Sequence, residues 1–347
     1  MGQDPAPEDI TRLSRVVSIG ELPLRLVRDA SARPYSPDTG SGDTSSRFNG
    51  HLALRDALSA HTLDLIRARQ ADGAADSLVS RVKLLRDFNP ASGAFAAFIK
   101  AICVGDLAAD VPILLARLAP SENSLDQLQQ ALRESYHDDE IARLIETDVR
   151  QTYLTLESMA TGRRVGTPRI ALLGRPGLRH LIADGLETAQ DAIVAARLPW
   201  PERLHALDRL EDRYSPVASF LALGAVRGRT GQPSGWQMAD QASEAAVRIA
   251  SGIADVRVLL AAVHVERHRR ATGSLPNTLE TAGVQGETAV DPFSGKPFRY
   301  IREGDGYIVY SLGRDFRDDG GRVIGEPNKG QVPEYAQSPD IGVRVSR

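Results

Sequence analysis

The stretch that decides the fold is His268-Arg-Arg-Ala-Thr-Gly273-Ser-Leu-Pro276, followed by Asp291-Pro-Phe-Ser-Gly-Lys-Pro-Phe-Arg-Tyr300 and then Asp305-Gly-Tyr-Ile-Val-Tyr-Ser-Leu-Gly-Arg-Asp315-Phe-Arg-Asp318-Asp319-Gly-Gly321. A long helical pattern stops at Gly273, a residue that enters the left-handed conformation without a Cβ penalty. Ser274-Leu-Pro276 reads as a turn, and Asn277–Thr281 as a short helix. Alternating apolar residues in Phe298-Arg-Tyr-Ile-Arg302 and Tyr307-Ile-Val-Tyr310 flank Glu303-Gly-Asp-Gly306, which is a hairpin signal. Tyr300, Tyr307 or Tyr310 is expected to cover the seam between this hairpin and the preceding helix. The order is helix, turn, hairpin, acidic loop.

Upstream of this stretch the pattern is helical almost throughout. Trp236–Ala271 contains no proline and at about 1.5 Å per residue would extend roughly 50 Å, enough to leave the other helices and act as a spine for the terminal part. Helices are expected from His51 to a stop at Gly73, then over Ala75–Phe88, Ala94–Leu107, Pro112–Leu118, Ser124–Ser135, Asp138–Met159, Gly177–Arg197, Pro201–Tyr214 and Pro216–Val226. The breaks coincide with proline and glycine. Abundant Ala and Leu with short connections imply a helical bundle or an array of helix pairs. No repeat period emerges, and tetratricopeptide signature positions are absent. The expected fold is mainly α, with a long spine helix and a small C-terminal α+β module. Residues 1–50 form a flexible segment, 51–235 a helical domain, and 236–347 the long helix with its β module; the run Ser36-Pro-Asp-Thr-Gly-Ser-Gly-Asp-Thr-Ser-Ser46 is too polar to offset its ordering entropy.

Composition excludes several classes. The 347 residues are 42% hydrophobic and 25% charged, with a formal charge of −3, so there is room for a large core and no basic footprint for nucleic acid. The single cysteine, Cys103, sits in an apolar run and reads as a buried inert thiol. No segment approaches the ~18 consecutive apolar residues of a membrane span.

The terminal order resembles the globular end of the major pseudopilin of type II secretion systems, over about residues 250–345. In that family a helix packs on a small antiparallel sheet and an acidic C-terminal loop holds calcium. Leu275 stands where the family often has an aromatic residue, Phe293 takes the tryptophan position of its Asp-Pro-Trp-Gly-type turn, and Asp340-Ile341 resembles its closing Asp-Ile pair. The resemblance implies calcium, with Asp315, Asp318, Asp319 and Asp340 as ligands that fix the loop. It also implies a non-enzymatic cell-envelope or secretion-associated protein with protein partners or self-assembly. A pseudopilin begins with a hydrophobic anchor helix; here the chain is either a soluble relative of the tail alone or one whose anchor was removed.

Other patterns carry alternatives. Asp315, Asp319, Gly320 and Glu326 follow EF-hand spacing, but Arg317 occupies a ligand position and no helix leads in. His264 and His268 lie on one helix face in zinc-ligand spacing; Glu266 is displaced from the place of a general base, so an arginine-flanked solvated face is expected. His137-Asp-Asp-Glu140 reads as a helix N-cap. Gly162-Arg-Arg-Val-Gly-Thr-Pro-Arg169 is a basic surface connection, and Trp200 and Trp236 staple helix entries. An enzyme would need a cleft containing Glu146, Asp148 or His180, since no nucleophile elbow, Walker loop or dinucleotide fingerprint is present.

Overall fold

The computed structural model describes residues 44–88, 94–137, 139–161, 174–210, 235–323 and 340–347. The chain is mainly helical and ends in a small antiparallel sheet. The helices are α1 (Thr44–Arg67), α2 (Ala71–Leu84), α3 (Ala94–Arg117), α4 (Glu122–Arg133), α5 (Glu140–Ala160), α6 (Gly174–Ala196) and α7 (Gly235–Thr272), with a further helical stretch at 202–210. The strands are β1 (Arg299–Glu303), β2 (Gly306–Ser311) and β3 (Ile341–Val345). Of the segment expected to be flexible, residues 1–43 lie outside the described residues, and 44–50 are the first turns of α1. The expected helix Pro216–Val226, the basic connection 162–169 and Glu326 also lie outside them.

Local chemistry explains the helix limits. Ser121 caps α4 by accepting the Ser124 N–H, and Ser124, Leu125, Leu128, Gln129, Ala131 and Leu132 form its buried stripe. The break expected at Gly73 falls earlier. Arg69 takes a positive φ of 55°, the Gln70 N–H bonds the Leu65 carbonyl at 2.9 Å, and the Arg69 N–H bonds that of Ile66 at 3.1 Å. This is the Schellman pattern with arginine in the usual glycine place, and Gly73 falls inside α2. The two helices expected around Pro112 are one, α3, which runs straight through that proline. Full burial of Leu107, Val111, Leu114 and Leu115 offsets the hydrogen bond that proline removes.

Helix α7 is the element that every layer shares. Val258, Leu259, Leu260, Ala261, Ala262 and Val263 are all buried, which is the pattern of a helix enclosed on all sides. It packs against α3, α4 and α6 and also carries the sheet, while β3 touches α3 as well. One continuous apolar core runs from Ile66 through α7 to Val345. The helix therefore does not leave its neighbours before reaching the sheet. At its end Gly273, at φ +77°, donates its N–H to the Arg269 carbonyl at 2.8 Å, as the sequence implies.

The sheet has β2 in the middle. Register pairs Tyr300 with Val309 and Val309 with Val343, and likewise Arg302 with Tyr307 and Tyr307 with Val345. These residues share the face that meets α7, where the Tyr307 hydroxyl donates to the Ala262 carbonyl at 3.0 Å and the Tyr300 hydroxyl to that of Pro276 at 3.1 Å. The opposite face holds Arg299, Ile301, Ile308 and Tyr310. Strand β3 was not foreseen: Ile341-Gly-Val-Arg-Val345 pairs with β2 and buries Val343 and Val345 beside it. The short helix expected at Asn277–Thr281 is a single turn, with the Val284 N–H bonded to the Leu279 carbonyl at 3.0 Å. Among the described residues no helix is long and apolar enough to cross a membrane.

Candidate functional site

The terminal module is organised around Asp291, which is 1% exposed. Its carboxylate accepts the Phe293 N–H at 3.0 Å, the Ser294 hydroxyl at 2.8 Å, the Ser311 hydroxyl at 2.6 Å and the Leu312 N–H at 3.3 Å. Two of these donors belong to its own Asp-Pro-Phe-Ser turn and two to the end of β2. One side chain thus ties the turn to the start of the acidic loop. Phe293, 1% exposed, fills the core beneath the turn.

The acidic loop lies across the outer face of the hairpin. Gly321, at φ +77°, sits so close that a Cβ there would be 3.2 Å from both Ile308 Cδ1 and Tyr310 Cε1. The Tyr310 hydroxyl donates to Asp318 Oδ1 at 2.9 Å; burial first, and then this carboxylate, push that phenol up to about 12. Asp318 also accepts the Gly320 N–H at 3.0 Å and faces the Arg299 guanidinium at 3.4 Å.

Asp340 closes the loop from the far end of the chain. Buried to 1% exposure, it accepts the Gly321 N–H at 2.9 Å and the Asp319 N–H at 3.4 Å. Burial raises its carboxyl; those two N–H groups oppose the rise, and the charges of Asp318 and Asp319 add to it. Of the four expected ligands, Asp340 reaches the loop through the backbone N–H groups of Asp319 and Gly321, while the Asp318 carboxylate is turned to Tyr310 and Arg299. Asp315 instead accepts the Arg317 N–H at 3.0 Å in a local turn. Among the described residues no three acidic, histidine or cysteine side chains form a ready metal cage.

Between Asp315 and Arg317, Phe316 adopts a positive φ of 57°, uncommon for a large side chain. It stacks on His205 with ring centroids 5.4 Å apart and meets Phe293 edge-on at 6.2 Å. Arg314 pairs with Glu244 of α7 at 3.1 Å. The loop is thereby fastened to the helical part on two sides. Beside β1 lies an open groove of about 410 Å³ lined by Leu279, Val284, Phe298 and Tyr300 with Asn277 and Glu280.

The remaining candidates serve the fold. The Gln129 side-chain nitrogen approaches His264 Nε2 at 2.7 Å, and burial, then the Arg133 charge, lower that imidazole's affinity for a proton. Glu266 is not solvated as its arginine-rich setting implies: it is fully buried, with Arg269 and, at 3.0 Å, Arg347 on its Oε2. Glu140 accepts the His137 N–H at 3.1 Å, as an N-terminal acid should, and also pairs with buried Lys100 at 2.6 Å. Glu146 is exposed and pairs with Arg197 at 3.0 Å; the side chains of Asp148, His180 and Trp236 lie outside those described. The Cys103 thiol is buried and pushed up to about 11 by that burial. Lys100, Arg81 and Asp110 escaped the sequence reading, because their pairing joins residues far apart in the chain. Compared with family models, curated proteins and solved structures, the chain matches none.

Proposed function

We propose that this chain is a non-enzymatic structural or interaction protein of the cell envelope or of secretion, with a pseudopilin-like C-terminal module whose acidic loop takes calcium. The observation that carries the reading is the corner where Asp340 reaches back into the loop. Buried Asp340 accepts the Asp319 and Gly321 N–H groups there, and the charges of Asp318 and Asp319 add to the rise that burial gives its carboxyl. A hard divalent cation relieves such repulsion and takes oxygen ligands. Asp318, Asp319 and Asp340 would hold the cation, which would neutralise the loop's charge and fix Asp340 against it. Asp315 stays in its own turn.

The helix, Asp-Pro-Phe turn, hairpin and closing Asp-Ile follow one another as in that family, which supports the module assignment. Calorimetry and thermal melts test the calcium. Calcium above its dissociation constant is expected to raise the melting temperature by mass action, more than magnesium does, and to slow proteolysis after Arg317. Asp319→Ala should remove most of that response while the helices stay folded. No heat of binding at millimolar calcium would leave the loop closed by hydrogen bonds alone and remove calcium from the reading.

A further inference from the structure

The sheet order leaves β1 as an edge strand among the described residues, whereas β3 lies against α3 and α7. Edge strands present unpaired N–H and C=O groups, and charged residues normally keep other strands away. The charges of β1 are arranged in a particular way. Arg299 and Glu303 stand at its two ends, with side chains 45% and 39% exposed, and Ile301 is its midpoint. If a second β1 is laid antiparallel about a two-fold axis through Ile301, Arg299 faces Glu303 of the second copy. Tyr300 then faces Arg302, and Ile301 faces itself. Parallel pairing in register would set like charges opposite one another, which is unfavourable.

We propose that β1 is a self-complementary edge through which two copies of this chain join, antiparallel about Ile301, into one six-stranded sheet. The proposal rests on the self-assembly part of the function proposed above and gives it a surface. Within one chain Arg299 already faces Asp318 at 3.4 Å and Glu303 faces Arg344 at 2.8 Å. Pairing joins these into an alternating row: Arg344, Glu303, then Arg299 and Asp318 of the second copy. Such rows are isologous, so each contact occurs twice per dimer. On the other face, the groove beside Tyr300 and Phe298 leaves room for Arg302 of the second copy to approach the Tyr300 ring. A five-residue strand buries little area, so association is weak and concentration-dependent.

Sedimentation velocity of the full chain, from micromolar to near-millimolar concentration, tests this. The dimer fraction is expected to rise with concentration. Arg299→Glu and Glu303→Arg should each weaken association about tenfold, since each places two like-charge pairs across the axis. The double reversal should restore it. Damage confined to one chain predicts no such rescue, because the double variant still sets a carboxylate against Asp318 and a guanidinium against Arg344. Ile301→Cys should form a disulfide dimer on oxidation, as opposed Cα atoms about 4.5–5.5 Å apart suit that bond. Buried Cys103 will not compete. A chain that stays monomeric throughout and fails to cross-link overturns the proposal. Self-association that ignores the single reversals, or is not regained by the double, also overturns it and moves assembly to another surface.

Discussion

The helical part and the terminal module both bury carboxylates, and they neutralise them differently. In the helices Asp110 is held by Arg81 and Glu140 by Lys100, all four side chains being under 10% exposed. In the module Asp291 and Asp340 are held by N–H groups and hydroxyls. The cause is backbone availability. A helix interior spends its N–H groups on its own ladder, so Asp110 inside α3 is neutralised by a cation from a neighbouring helix, and Glu140, at the start of α5, adds Lys100 to the His137 N–H it accepts. A turn leaves N–H groups unspent, and a short acid can collect them. Function follows the same division: the pairs lock helices together, while the module's acids position a loop that ends at the surface.

The comparison breaks most visibly at Lys100. Lys100→Met strands Glu140 in the core and should cost about 3–5 kcal/mol in urea unfolding. Lys100→Met with Glu140→Met should recover most of that loss, short of about 1 kcal/mol for the lost N-terminal cap. A double variant as unstable as the single would show that the pair has a role beyond mutual neutralisation.

In the module the same experiment has no cation to remove. Asp291→Ala leaves the Phe293 and Leu312 N–H groups and two hydroxyls unsatisfied, a loss on the order of 3 kcal/mol. The damage should be local, with amide exchange rising in the turn and acidic loop before α7. Simultaneous loss of protection in α7 would mean that Asp291 organises the core and not merely the loop.

These two acids also mark how far the sequence could be read. Local signals sufficed for α7, for Gly273 at its end and for the β1–β2 hairpin, since periodicity and turn chemistry are written within a few residues. The Asp-Pro-Phe turn was visible, but not that Asp291 would bond Ser311. Strand β3 was missed because its five residues acquire meaning only beside β2. The break at Arg69 was missed because arginine does not advertise a positive φ. For the loop, the resemblance named four aspartates; Asp340 takes the N–H groups of Asp319 and Gly321, a contact between distant parts of the chain that local sequence does not carry, and Asp315 bonds within its own turn.

Asp255 sharpens the comparison as an acid on α7 with no cation paired to it among the described residues. Burial raises its carboxyl from an ordinary value near 3.8 to about 7. The folded state thus binds its proton more tightly than the unfolded state, so its contribution is most favourable below about pH 4. Stability is lost as pH rises from there to about 7 and then levels off. Asp255→Asn should raise the melting temperature at pH 8 more than at pH 5. Parallel pH profiles for the two proteins would mean that the carboxyl titrates normally.

The smallest effect is expected at Asp340, where two influences oppose each other. Asp340→Asn keeps one oxygen to accept an N–H but presents an amide nitrogen to the other donor, a mismatch worth about 1–2 kcal/mol. It also removes a charge that Asp318 and Asp319 repel, which returns part of the loss. The net change should be a destabilisation of about 1 kcal/mol without calcium. With calcium the gap from wild type should widen, because the amide is the weaker ligand. A variant more stable than wild type without calcium would mean that repulsion, not N–H donation, governs the corner. The distinction drawn between turn acids and helix acids would then hold for Asp291 alone.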